Sequence, residues 1–310
     1  MTRSLKFNIF FAAAIVLSCF GRLLAQTNAN VAQEQGYREN LDSMVNEDKE
    51  EAGVRHEVDA YLRYVPVCSV EAQAGKVAII EAAEEYSYAF KAFGKLPLEL
   101  SLESEYIDIE ETTAVSLPSH LTGLALGLEA TLPFFKFDKT YFRIKFIPSF
   151  YTDDWQMNPS AFRIPVHTYL IYQPDHKWTL VAGVAVSPDT EGVVFPILGF
   201  IYQPNDKLTF HMVPPEPNIS YKLNERLTLF MEGGFAGDEF EVTKDNLKGA
   251  VLIYQETHLG SGVKYKFNKY IEASVAAGGM FNRNLKYRDS LGKVNIKDGF
   301  YSEAKVEIKI

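Results

Sequence analysis

Charged residues recur at every second position in several stretches of this chain, and that spacing limits the chemistry open to them. Glu99, Glu103 and Glu105 alternate with Leu98, Leu100, Leu102 and Tyr106. Arg143 and Lys145 alternate with Phe142, Ile144 and Phe146, and Glu303, Lys305, Glu307 and Lys309 with Ser302, Ala304, Val306, Ile308 and Ile310. Side chains on a strand point to opposite sides in turn, so each run has one ionic and one apolar face. Carried along the chain, the rule gives an inward set of Glu99, Glu103, Glu105, Glu129, Arg143, Lys145, Arg163, His167, Arg226, Glu232, His258, Lys264, Glu272, Glu303 and Glu307. Acids and bases on adjacent strands either pair to fill a polar interior or line a watery path whose charges select solutes.

Other chemistry finds less support. A lipase would need Ser and His within hydrogen-bond reach on a lipid-facing surface. Ser149 and His167 both fall on the ionic face, as does His258. Asp153-Asp154, and Asp238, Glu239 and Glu241, lack the regular ligand spacing of a calcium loop. No phosphate-cradling glycine loop, His-Glu-x-x-His or paired cysteine motif is present. The expectation is no enzyme, no cofactor and no metal.

The elements that would position these residues are marked by a repeated phrase. Tyr172-Gln173-Pro174-Asp175-His176-Lys177-Trp178 returns as Tyr202-Gln203-Pro204-Asn205-Asp206-Lys207-Leu208, as Tyr221-Lys222-Leu223-Asn224-Glu225-Arg226-Leu227 and as Tyr265-Lys266-Phe267-Asn268-Lys269-Tyr270. Looser copies stand at Phe93-Gly94-Lys95-Leu96 and Phe137-Asp138-Lys139-Thr140-Tyr141. Each reads as a tight polar turn between strands. The flanking rings Tyr141, Tyr172, Trp178, Tyr202, Tyr221, Tyr265 and Tyr270 suit a membrane interface, where an apolar body and a polar tip are both satisfied.

Six short turns alternate with wider connections at 107–121, 152–162, 188–192, 214–217, 237–250 and 282–299. The spacing predicts fourteen strands near 57–67, 77–92, 97–106, 122–133, 140–151, 163–173, 177–187, 193–203, 207–213, 217–223, 226–235, 254–267, 269–281 and 300–310. Twelve is the alternative count, because Pro214, Pro215 and Pro217 crowd the Leu208–Tyr221 hairpin. Strands of about ten residues suit a tilted bilayer crossing. A soluble sandwich also alternates and is the structural rival. The expected fold is all-β, a closed antiparallel up-and-down transmembrane β-barrel over 57–310, with short periplasmic turns and longer external loops.

Residues 1–25 read as a cleaved signal peptide: Arg3 and Lys6, an uncharged run from Phe7 to Phe20, then Leu23-Leu24-Ala25. Cleavage would remove three cations and no acid, moving the formal charge from −9 to −12 and leaving Cys68 as the lone cysteine. An acidic chain argues against a nucleic-acid partner. Residues 26–56 are polar and acid-rich, a solvated leader or a plug for the barrel.

From about residue 121 to 310 the chain resembles an uncharacterised family of outer-membrane β-barrels of double-membraned bacteria, known as a domain of unknown function. The likeness rests on Pro214-Pro215-Glu216-Pro217-Asn218-Ile219-Ser220-Tyr221 running into Lys222-Leu223-Asn224-Glu225-Arg226-Leu227-Thr228-Leu229, on Phe150-Tyr151-Thr152-Asp153-Asp154, and on the twin Tyr-Gln-Pro turns. The resemblance implies a fold and a place, the cell outer membrane, and brings no catalytic residues. The function expected is a porin-like barrel with a charge-lined lumen, surrounded by outer-membrane lipid and passing small hydrophilic solutes. The alternative is a closed structural or binding barrel whose external loops contact a partner.

Overall fold

The computed structural model describes residues 55–310 apart from 72–73, 94–95, 135–136, 155–160, 188–193 and 245–246. The expected signal peptide, the leader up to residue 54, the Gly94-Lys95 turn and the 188–192 connection lie outside the described residues.

Why the repeated phrase turns the chain is visible at four places. Asp175 Oδ1 accepts the backbone N–H groups of Lys177 and Trp178, at 2.7 and 3.1 Å. Asn205 does so for Lys207 and Leu208, Asn224 for Arg226 and Leu227, and Asn268 for Tyr270 and Ile271. One side-chain oxygen thus satisfies the two backbone donors that a reversal leaves free.

The first strands are β1 (Arg55–Ser69), β2 (Lys76–Ala92), β3 (Leu96–Glu111) and β4 (His120–Pro133). The fifth crossing is β5 (Thr140–Phe146) continued by β6 (Ser149–Thr152), broken at Ile147-Pro148. The sixth is β7 (Phe162–Arg163) and β8 (Val166–Tyr172), broken at Ile164-Pro165. Proline donates no ladder hydrogen bond, which places both breaks. Next come β9 (Trp178–Val186), β10 (Val194–Asn205), β11 (Leu208–Met212), β12 (Asn218–Lys222), β13 (Leu227–Lys244), β14 (Leu247–Lys266) and β15 (Ile271–Tyr287). The last crossing is β16 (Lys293–Ile296) with β17 (Gly299–Lys309). Each crossing pairs antiparallel with the next, and β1 pairs with both β2 and β17. The result is a closed fourteen-strand transmembrane barrel. The chain enters and leaves at the short-turn end, where His56 and Ile310 exchange two backbone hydrogen bonds of 2.8 Å.

The outer face is apolar and uncovered: Leu62, Leu100, Leu102, Leu126, Leu170, Leu229, Met231, Leu259 and Val275 are all exposed. At the short-turn end, Trp178 stacks on Tyr202 with ring centroids 4.1 Å apart, and Tyr265 meets Phe267 edge-on. Tyr172, Tyr221 and Tyr265 are exposed on this face. Tyr141 shares a strand face with Arg143, which the barrel turns inward, and Tyr270 lies in its turn beneath the Lys269 ammonium.

Two wide connections are much shorter than expected. β13 and β14 continue through most of 237–250, and β15 with β16 through much of 282–299. Asp238, Glu239 and Glu241 resemble a solvated loop in sequence, yet they stand in register with Tyr254, Ile253 and Val251. The apolar partners Phe240 and Val242 between them become fully buried, which holds the hairpin extended. β3 likewise runs on to Glu111.

The Leu208–Tyr221 hairpin does form two crossings, but of five residues each. At about 3.3 Å per residue and a tilt near 40°, such strands rise only about 13 Å. Their neighbours continue: β10 above Phe200, and β13 above Glu232 to Lys244. Freed from β12, the far half of β13 leaves the wall and crosses to the other side. Glu241 forms a parallel bridge with Thr152, the Thr243 N–H donates to Asp153 Oδ2 at 3.0 Å, and Tyr151 meets Phe240 edge-on at 5.4 Å. Tyr151 reaches there by lying over Gly123, where a Cβ would stand 2.6 Å from its ring.

The long-loop half therefore closes as a ring of nine strands: β16, β1, β2, β3, β4, β6, β13, β14 and β15. An odd ring requires one parallel pair, and β6 with β13 supplies it. Its interior is solid. Val65, Val77, Ile79, Ile107, Leu121, Phe240, Leu252, Met280, Leu285 and Val294 form one buried apolar cluster. Inner faces expected to be ionic throughout are thus apolar at this end. Bulges at Val65/Cys68 and at Gln255/Thr257, the latter opposite Asn282 at φ 51°, bend the wall where charge gives way to the apolar core.

Candidate functional site: the barrel lumen

Below the apolar core lies a layer of charge organised by Arg63. Its Nη1 is 3.2 Å from Glu81 Oε2 and 3.1 Å from Glu256 Oε1, and its Nη2 is 2.8 Å from Glu303 Oε2. Tyr254, hanging from the core above, donates its hydroxyl to Glu81 at 2.8 Å and also reaches Glu256. The guanidinium stands over the Tyr301 ring at 5.2 Å, and Tyr301 donates to Glu232 Oε1 at 3.1 Å. His258 Nδ1 lies 3.7 Å from Glu256. One planar cation thus holds three carboxylates that would otherwise repel. A second guanidinium, Arg283, is 2 % exposed, and its nitrogens meet no hydrogen-bond partner among the described residues.

Nearer the short turns, Glu307 sits among Lys264, Lys305 and Lys309 at 3.0, 3.6 and 3.8 Å, while Lys309 also meets Glu57 and Lys305 meets Asp59. On the far wall Arg143 Nε lies 3.0 Å from both Glu129 Oε1 and Thr131 Oγ1. Lys145 and His167 stand opposite one another there, with the His167 ring 3.3 Å from the Tyr169 hydroxyl. Glu85, Glu99, Glu103 and Glu105 line the wall of β2 and β3. The lumen is therefore acidic along β2–β3 and basic along β5–β8. Glu216, at the tip of the β11–β12 hairpin, is exposed.

Of the inward set, all but one sit on the inner face of the barrel. Arg226 lies in the exposed turn before β13. Ser149 stands opposite Arg163 while His167 stands opposite Lys145, and no hydrogen bond joins Ser149 to His167. Among the described residues no group of three or more His, Cys, Asp and Glu side chains is placed to hold a metal ion. Asp153 serves the rim instead: burial raises its carboxyl from the ordinary value, against the Thr243 N–H that favours the charged form. Sequence patterning missed Arg63, Glu81, Tyr254 and Glu256. Glu81, Tyr254 and Glu256 follow apolar inner residues in their own strands, and Arg63 stands next to the apolar Val65, so local alternation did not carry the ionic face to them.

A family model described as "Domain of unknown function (DUF6268)" matches residues 99–308. The chain belongs to this family. No curated protein sequence matches it. Among solved structures, it is similar to a FadL homologue of Pseudomonas aeruginosa, with 9 % identity and a TM-score of 0.48 over 83 % of this chain and 90 % of that one. An outer-membrane channel from Pseudomonas putida F1 gives 10 % identity and 0.46, over 84 % and 97 %. The NanC porin gives 10 % and 0.42, over 82 % and 100 %. At these scores the likenesses carry no argument about function.

Proposed function

We propose that the protein is an outer-membrane barrel of the transport type, in which the charged half of the lumen admits small solutes from the periplasmic end. The outer belt of uncovered leucines, with stacked rings at one rim, supports the membrane location. The observation that carries the transport reading is Glu103: it points into the lumen and is nevertheless exposed. An inward carboxylate touched by solvent marks a water-accessible chamber rather than a packed interior. Its acidic wall favours cations over anions.

A closed structural or binding barrel is the second reading, favoured by the apolar core across the long-loop half. Conductance of the purified protein in planar bilayers separates the two. The transport reading expects channels with a cation-selective reversal potential that moves toward zero in the Glu103→Gln, Glu105→Gln, Asp238→Asn triple variant. Folded protein that never conducts supports the closed barrel.

A further inference from the structure

Along the barrel axis any solute meets Phe240, Leu252, Met280, Leu285 and Ile79, none more than 1 % exposed. Opening that route means taking apart the packed interior of the nine-strand ring, so an axial passage is the expensive one. A second route starts where β13 leaves the wall. Phe195 shares the lumen-side face of β10 with Ile197 and Ile201, whereas Phe235 shares the lipid-side face of β13 with Met231 and Leu229. Their rings nonetheless touch, with centroids 5.4 Å apart. β13 must therefore pass inside β10, and the two strands overlap with a cleft between them.

Among the described residues no backbone pairing joins β10 to β13. The floor of the cleft is the end of the low hairpin, where Val213 crosses β10 so closely that a Cβ on Gly199 would stand 2.7 Å from its Cα. Phe195 and Phe235 are 43 % and 44 % exposed. Two residues on, on the same face of β13, Gly237 has no heavy atom of the described residues within 4 Å of where its Cβ would be. Among the described residues a single aromatic contact thus bridges the cleft. Among the described residues, parting two half-exposed rings breaks no backbone hydrogen bond and disturbs no core residue.

Resting on the transport reading, we propose that solutes pass between the lumen and the outside through this cleft between β10 and β13, with Phe195 and Phe235 as its gate. The chemistry of the route selects its cargo. Apolar side chains at Phe195 and Phe235 border acidic groups at Glu103, Glu105 and Asp238, which suits small neutral or cationic molecules with an apolar face.

Liposomes carrying the full chain test this with benzylammonium and benzoate as probes. Wild type should admit benzylammonium in preference to benzoate. Gly237→Trp fills open space without touching the core and should cut entry by about tenfold. Phe195→Ala with Phe235→Ala should raise entry severalfold, and heat-modifiable migration reports whether each variant has folded. If wild type admits benzylammonium and neither variant changes the rate, the side route is wrong and the transport reading stands. If folded wild type admits neither probe, the transport reading itself fails. Entry that favours benzoate would overturn the cargo assignment.

Discussion

Two walls enclose the same lumen and are built to different ends. β13, β14 and β15 run for 18, 20 and 17 residues, whereas β8, β9, β11 and β12 run for 7, 9, 5 and 5. Among the described residues the tall wall curls over a core of twenty buried residues, and the low wall keeps a separate cluster of four, Val181, Ile197, Ile201 and Val213. Stability is concentrated where strands are long enough to fold inward onto one another. Backbone pairing is lost where they stop short. The same turn chemistry serves both walls, so the difference comes from what each strand meets at its far end.

The comparison is tested most severely in the tall wall. Leu252→Ala opens a cavity in its core and should cost about 4–5 kcal/mol, while the like-sized deletion Ile197→Ala in the low wall, whose cluster is smaller, should cost about 2–3 kcal/mol. Urea unfolding in detergent measures both, and equal losses would erase the distinction. Arg63→Ala leaves Glu81, Glu256 and Glu303 facing one another without their cation. The expected loss is about 3 kcal/mol, and Arg63→Lys should recover only part of it, because a point charge cannot make the same fork of contacts.

Smaller effects sharpen the shared part. Asn224→Ala removes two hydrogen bonds from an exposed turn and should cost about 1 kcal/mol, visible as a lower unfolding midpoint. Asp175→Asn should change nothing at neutral pH, because asparagine fills the same role in three other turns. Its effect appears in acid. The Lys177 N–H holds the Asp175 carboxyl below its usual range. A depressed folded value gives stability that is present above the unfolded one and lost as pH falls through the folded one. The variant should therefore lose a small part of the acid sensitivity of unfolding; identical acid titrations of the two proteins would remove this role.

Fourteen crossings were legible because each strand carries its own evidence in turn phrase and alternation. The Arg63 cluster was not. Its strand reads Asp59, Tyr61, Arg63, Val65 along one face, and nothing local says whether Val65 meets lipid or lumen. The same ambiguity hid the apolar core, since Val77 and Ile79 look the same beside hydrocarbon as inside a closed ring. Asp238, Glu239 and Glu241 misled in the opposite sense. Their charges suggested a loop, while their partners lie across a hairpin and across the barrel.

By itself the sequence determined the class of the fold, the number and order of strands, the end at which they turn and the apolar belt. All of these follow from interactions within a few residues: alternation along a strand and one side-chain oxygen closing each reversal. Only the tertiary structure decided which apolar faces look inward, that β13 crosses to β6, and that an apolar core fills the long-loop half while Phe195 meets Phe235 across unpaired strands. Those outcomes depend on strand height compared between neighbours and on contacts such as Glu241 with Thr152, 89 positions apart in the chain. A pattern of period two records that a residue changes sides, and it carries no information about what waits on either side.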